Sequence, residues 1–118
     1  MVLERIVARK REEVALAKAR REVPRASALA PSTRSLETAL RRGRAAFVLE
    51  CKKASPSAGI IRTDYRPAEI ARIYAPFADA VSVLTDAVFF GGSYDDLAAV
   101  SAAVAVPVLC KDVIVDPC

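Results

Sequence analysis

Residues 45–59 read Ala45-Ala46-Phe47-Val48-Leu49-Glu50-Cys51-Lys52-Lys53-Ala54-Ser55-Pro56-Ser57-Ala58-Gly59. An apolar run leads straight into a carboxylate, two lysines and a loop rich in Ser, Pro and Gly. A continuous apolar strand is expected where both faces of a parallel sheet are covered. Such a strand delivers charge to the loop at its C-terminal end. Charged groups there are costly unless paired, so they commonly serve chemistry or anion binding. The pattern recurs where Val106-Pro107-Val108-Leu109-Cys110 runs into Lys111-Asp112. Two strands tipped with lysine, one also with glutamate, indicate a site that handles anions.

Between these blocks the periodicity alternates. Pro67 suits the first turn of a helix, which carries Ile70, Ile73 and Tyr74 toward the core and ends near Pro76. Asp79–Leu84 reads as the second strand. Thr85–Gly92 is a loop with Phe89, Phe90 and a Gly-Gly pair. Ser93 with Asp96 forms a capping box, and Leu97, Val100 and Val104 make the apolar stripe of the helix that follows. Strand starts near 45, 80 and 106 give units of βαβ size, with parallel strands and right-handed crossovers.

Upstream, Leu3, Ile6, Val7, Val14 and Ala17 follow helical spacing, so residues 2–21 read as one amphipathic helix ended by Pro24. Residues 23–34 form a linker. Ser35 caps a short helix through Leu36 and Leu40, closed by Gly43. The expected division is a helical extension and linker at 1–44, then βα units over 45–118. Three units fall short of a doubly wound sheet and of the eight in a (β/α)8 barrel, so a first part of a larger protein is expected.

The composition narrows the function. The chain has 118 residues, is 53% hydrophobic and carries a net charge of +4. It lacks a run of about 20 apolar residues for a membrane span and the apolar core of a signal peptide, which reads as cytoplasmic. Residues 1–44 hold 12 Lys/Arg against 5 Asp/Glu, whereas 45–118 hold 6 against 9. A basic arm for nucleic acid is one reading. Alternating signs, as in Arg9-Lys10-Arg11-Glu12-Glu13, and the lack of interleaved aromatics fit a solvated helix face with i,i+4 pairs better. Cys51, Cys110 and Cys118 are odd in number and in no metal spacing. Disulfides are not expected, and Cys51 and Cys110 read as small buried side chains. With no histidine in the chain, Ser/His/Asp and Cys/His catalysis is excluded and most zinc sites with it. Acid–base work falls to Lys, Glu or Asp.

Four blocks carry a resemblance: Glu50-Cys51-Lys52-Lys53-Ala54-Ser55-Pro56-Ser57 with Gly59; Ser82-Val83-Leu84-Thr85-Asp86; Phe90 with Gly92-Ser93; and Pro107-Val108-Leu109-Cys110-Lys111-Asp112 with Ile114-Val115-Asp116-Pro117. In these the chain resembles the indole-3-glycerol-phosphate synthase family, the tryptophan-pathway barrel. The likeness extends over nearly the whole chain, including the N-terminal helix. It implies an α/β fold: the N-terminal portion of a (β/α)8 TIM barrel with an extra N-terminal helix, incomplete at about three strands.

The resemblance also implies a reaction: conversion of 1-(2-carboxyphenylamino)-1-deoxyribulose 5-phosphate to indole-3-glycerol phosphate, with loss of carbon dioxide and water and with no metal or organic cofactor. It implies Lys111 as general acid, Lys52 as a ligand of substrate anions with a part in proton transfer, and Glu50 as the group holding both ammoniums. Ser55 and Lys53 are implied to bind substrate, and Phe90 and Phe89 to wall an apolar anthranilate pocket. Val113 stands where the family commonly has phenylalanine, and Ala58 where it frequently has lysine. The family's general-base glutamate and glycine-rich phosphate cradle come from later strands, so a missing C-terminal half or a fused tryptophan-pathway enzyme is the expected partner, with no nucleic acid and no membrane. Two other readings stay open: a barrel aldolase using Lys111 or Lys52 as a Schiff-base amine, and a non-catalytic interaction module built on the basic helix.

Overall fold

The computed structural model describes residues 1–117; Cys118 lies outside the described residues, and with it the reading of its thiol as unpaired. Two compact units emerge, Met1–Thr33 with the segment that starts at Val113, and Arg34–Asp112.

The first unit is built on α1, Val2–Ala19. Its charged face is laced as the alternating signs predict: Arg9 Nε meets Glu13 Oε1 at 3.1 Å, and Lys10 Nζ meets Glu13 Oε2 at 2.9 Å. The apolar stripe is narrower than the spacing suggests, since Ile6 is buried but Leu3 is exposed. Nor does Pro24 end the helix. Arg21 takes a left-handed φ of 56°. Its N–H donates to Lys18 O at 3.1 Å and that of Glu22 to Ala17 O at 3.0 Å. This paired reversal satisfies the orphan carbonyls of the last turn, so the stop comes before the proline is reached. Lys18 Nζ also pairs with Asp116 Oδ2 at 2.6 Å.

The second unit starts with α2, Leu36–Leu40, capped as expected: Ser35 Oγ accepts the Thr38 N–H at 3.1 Å. Then follow β1 (Val48–Cys51), a hairpin of β2 (Ala54–Ser55) and β3 (Gly59–Ile60), α3 (Pro67–Tyr74), β4 (Ala80–Leu84), α4 (Tyr94–Ala103) and β5 (Val108–Lys111). The main sheet is parallel in the order β1-β4-β5, as the strand–helix alternation predicts. The fold is therefore α/β, a three-stranded parallel sheet preceded by a helix. Ser93 caps α4 by accepting the Asp96 N–H at 3.0 Å. Arg34 closes the other end of α4, donating to Ser101 O at 3.0 Å and to Val106 O at 3.2 Å.

The core lies between one sheet face and the two long helices of this unit. Leu49, Cys51, Val81, Val83 and Val108 pack there with Ile70, Ala71 and Tyr74 of α3 and Leu97 and Val100 of α4. Each fully buried valine is worth about 1.5–3 kcal/mol. Strand alternation turns Val48, Glu50, Ser82, Leu109 and Lys111 to the opposite face.

Three expectations need correction. The apolar run 45–49 is not all strand: β1 starts only at Val48, and Phe47 and Val48 are 56% and 42% exposed. β1 is an outer strand of the three, and its Val48 side points away from the helices. On α3, Ile73 is 69% exposed; the helix presents Pro67, Ala71 and Tyr74 inward, and position 73 falls outside that arc. Cys110 is half-buried rather than buried.

Asp79, just before β4, is the unit's main polar anchor. Its carboxylate takes a two-pronged contact from Arg44, at 2.7 and 3.2 Å, and the Phe47 N–H at 2.9 Å. The Arg44 hydrogen bonds, then the Phe47 N–H, hold Asp79 below the usual carboxylate range. A depressed acid stabilises the fold above its ordinary value of about 4. That contribution disappears as pH falls through the folded value. Urea midpoints measured from about pH 7 to about pH 3 should therefore fall less steeply on acidification in Asp79→Asn than in the parent.

Gly92 is constrained by space alone: a Cβ there would lie 2.0 Å from Leu84 O, which is main chain and cannot swing aside. Gly92→Ala should cost about 3 kcal/mol in urea unfolding. At Gly43 nothing lies within 4 Å of the added Cβ and only the φ of +65° opposes it. Gly43→Ala should cost about 1 kcal/mol.

Candidate active site

The parallel register sets the site. Glu50 and Ser82 are Cα partners across β1 and β4, and Lys111 ends β5 opposite Leu84. All three side chains rise on the face away from the helices. Glu50 Oε1 accepts from Lys52 Nζ at 3.2 Å. Glu50 Oε2 accepts from Lys111 Nζ and, at 3.4 Å, from Ser82 Oγ. Tyr74 OH donates to the Glu50 carbonyl at 3.3 Å, so the main chain beneath the carboxylate is held from α3.

The electrostatics follow from this geometry. Partial burial of Glu50 works to raise its pKa, but the hydrogen bonds and charges of Lys111 and Lys52 outweigh it and leave the group below its ordinary value. One carboxylate between two ammoniums leaves the cluster formally positive. Lys111 is 52% exposed and Lys52 36%, so both can meet an anion from solvent. A positioned ammonium can also donate a proton to an oxygen on which charge develops.

The segment 51–64, which the sequence presents as a loop, contains a hairpin. β2 and β3 pair antiparallel, Ala54 with Ile60 and Ser55 with Gly59. The Lys53 carbonyl accepts from Ile61 N at 2.8 Å and Arg62 N at 3.2 Å. Ser55 stands apart from the ion-pair cluster. Its hydroxyl accepts the Ala58 N–H at 3.1 Å and lies 3.4 Å from Ser57 Oγ, so it closes the turn of its own hairpin.

The Phe89–Phe90 loop is anchored by Asp86, which is 1% exposed. Asp86 Oδ1 accepts the N–H groups of Phe89 and Phe90, and its carbonyl accepts Gly92 N at 2.7 Å. The Phe90 carbonyl then takes Ala54 N at 3.2 Å, joining this loop to the hairpin. Lys53 lies alongside: a Cβ on Gly91 would meet its Cδ at 3.3 Å. Lys53 and Phe90 are therefore neighbours through the main chain, and both phenylalanines are half-buried.

Sequence reasoning passed over Asp86, Thr85 and Asp112 as individual residues. Thr85 Oγ1 donates to Asp112 Oδ2 at 2.9 Å, and Thr85 N donates to Lys111 O at 3.1 Å, which holds the chain where it leaves Lys111. The spacing of Asp86 from two following amides is the local signal of such an anchor. Among the described residues no three Asp, Glu or Cys groups cluster as a metal site would require.

The family model for indole-3-glycerol phosphate synthase matches residues 3–118. This chain belongs to that family. Among curated relatives, the tryptophan biosynthesis protein TrpCF of Corynebacterium glutamicum is 50% identical over 98% of this chain and 25% of its own length. TrpCF of Salmonella typhi is 58% identical over 74% of this chain and 19% of its own length. TrpCF of Vibrio parahaemolyticus is 48% identical over 98% of this chain and 24% of its own length. The chain thus spans about a fifth to a quarter of the length of the relatives it matches. No helix among the described residues is long and apolar enough to cross a membrane.

Within this indole-3-glycerol phosphate synthase segment, Cys51 lies between Glu50 and Lys52 but faces the core. It is 1% exposed, its Sγ lies 3.9 Å from Pro67 O, and burial, with the charges of Glu50 and Asp96, pushes its pKa up to about 11. A thiol so placed is a packing group rather than a nucleophile. Cys51 should be alkylated by iodoacetamide at neutral pH only once the protein is unfolded, as peptide mass mapping would show.

Proposed function

We propose that the protein carrying this chain is an indole-3-glycerol phosphate synthase, and that residues 45–118 supply the first strands of its (β/α)8 barrel, with 1–44 as the helical extension before it. Its substrate is 1-(2-carboxyphenylamino)-1-deoxyribulose 5-phosphate, and it acts in the cytoplasm in tryptophan biosynthesis. The observation that carries this reading is the Lys111–Glu50–Lys52 cluster at the C-terminal ends of two strands of one parallel sheet, where such barrels hold their chemistry.

The chemistry assigns the residues. The aromatic carbon bearing the carboxylate attacks the ribulose carbonyl, and negative charge builds on that oxygen. Lys111 donates the proton that turns it into a hydroxyl. Loss of carbon dioxide restores the aromatic ring; a second protonation expels the hydroxyl as water, while a general base takes the proton from the neighbouring carbon that carries the nitrogen, and the indole double bond forms. Lys52 binds the substrate carboxylate and takes part in proton transfer. Glu50 keeps both ammoniums in register until an anion arrives. Lys53 and Ser55 contact the anionic and hydroxyl groups of the substrate, and Phe90 with Phe89 lines the wall against the anthranilate ring, where exclusion of water strengthens the charge interactions. The general base comes from a part of the protein other than these residues, in the same polypeptide or in a fused tryptophan-pathway enzyme.

In the complete protein, Lys111→Ala should lower turnover by about 10²–10⁴-fold, the usual size of a general-acid contribution. Near-normal turnover removes Lys111 from the mechanism. Borohydride added with substrate should trap no adduct on Lys111 or Lys52; a trapped adduct would favour the Schiff-base aldolase reading instead.

A further inference from the structure

Ser82 stands out in β4 as a hydroxyl in a strand whose other members are Ala, Val, Val and Leu, every one buried. It is 3% exposed. A hydroxyl withdrawn from water is costly unless it finds a partner. Its side-chain partner is Glu50 Oε2 at 3.4 Å. That oxygen is also the one that receives Lys111, while Oε1 is left to Lys52. The pairing is built into the sheet, because Glu50 and Ser82 sit directly opposite in the β1–β4 register. β4 pairs with β1 on one side and β5 on the other, and Ser82 is the most enclosed of the groups around the carboxylate.

We infer that Ser82 is a positioning residue: by donating to Glu50 Oε2 it fixes the plane of the carboxylate, so that one oxygen faces Lys111 and the other Lys52. The inference rests on the reaction proposed above. The groups facing Glu50 are Lys52 after β1, Lys111 on β5, Ser82 on β4 and the Tyr74 hydroxyl of α3 at its carbonyl. Cys51 and Tyr65 feel its charge from the core side. Of the donors to the carboxylate, only Ser82 is uncharged and fully enclosed. Without it the carboxylate can rotate, and the two lysines are no longer presented at a fixed separation.

The test is Ser82→Ala in the complete protein, followed by steady-state kinetics across pH and by carbon-13 NMR titration of the Glu50 carboxyl. The expected results are a three- to tenfold lower kcat, with KM within about twofold, and an upward shift of the Glu50 titration, since a donor to the charged carboxylate is lost. A purely structural role would lower the urea midpoint without moving the titration. An unmoved titration together with unchanged kcat overturns the inference. Ser82→Cys, which keeps the volume but offers only a weak donor, is the second variant if Ala does not fold, with the same shift expected. Lys111→Ala measured in parallel separates the two readings. If it abolishes turnover while Ser82→Ala changes nothing, only the positioning role falls. If it leaves turnover intact, the proposed reaction falls, and the Glu50 titration still decides whether Ser82 holds the carboxylate.

Discussion

Everything in the candidate site depends on the pairing register of β1, β4 and β5. Parallel strands place residues at equivalent heights on neighbouring strands. A register of Glu50 with Ser82, and Leu84 with Lys111, therefore carries a carboxylate and a lysine separated by 61 positions into direct contact. A slip of one residue in either pair would turn Glu50 or Lys111 into the apolar layer beneath the helices. The core valines on the opposite face make such a slip expensive, so apolar packing on one side of the sheet enforces the ion pairing on the other.

The two ends of the sheet use carboxylates differently. At the start of β4, Asp79 is gripped by Arg44 and by a main-chain N–H and ties the entry of β1 to that of β4. At the far end, Glu50 is held by lysines whose heads remain in contact with water. Arginine with its rigid fork makes the fixed clamp. Lysine, a mobile point charge, makes the contact that a ligand can redistribute.

Much of this was legible in the sequence. The strand–helix alternation, the Ser35 and Ser93 caps and the parallel arrangement all rest on local patterns that tertiary packing reinforces. Two strand ends bearing charge point to an anion-handling site, and the family resemblance implies the meeting of Glu50, Lys52 and Lys111 that the geometry shows. What escaped the reading depends on neighbours distant in sequence. The apolar run at 45–49 cannot reveal that its first residues lie outside the strand. Ile73 obeys helical spacing as well as Tyr74 does, and only the position of the sheet decides between them. The hairpin of 54–60 is written in main-chain hydrogen bonds, to which side-chain periodicity is blind. The reversal at Arg21 after α1, at a residue type that seldom adopts a left-handed φ, carried no composition signal.

That hairpin separates form from charge. Its shape rests on main-chain pairing and on the hydroxyl of Ser55 closing over the Ala58 amide, and neither contact uses the side chain at position 58. An alanine at that position, where the family frequently has lysine, therefore removes a positive charge from the hairpin while leaving the scaffold intact. The loop acts as a fixed mount on which electrostatic strength can be adjusted one residue at a time, without renegotiating the geometry of Lys52 and Lys53.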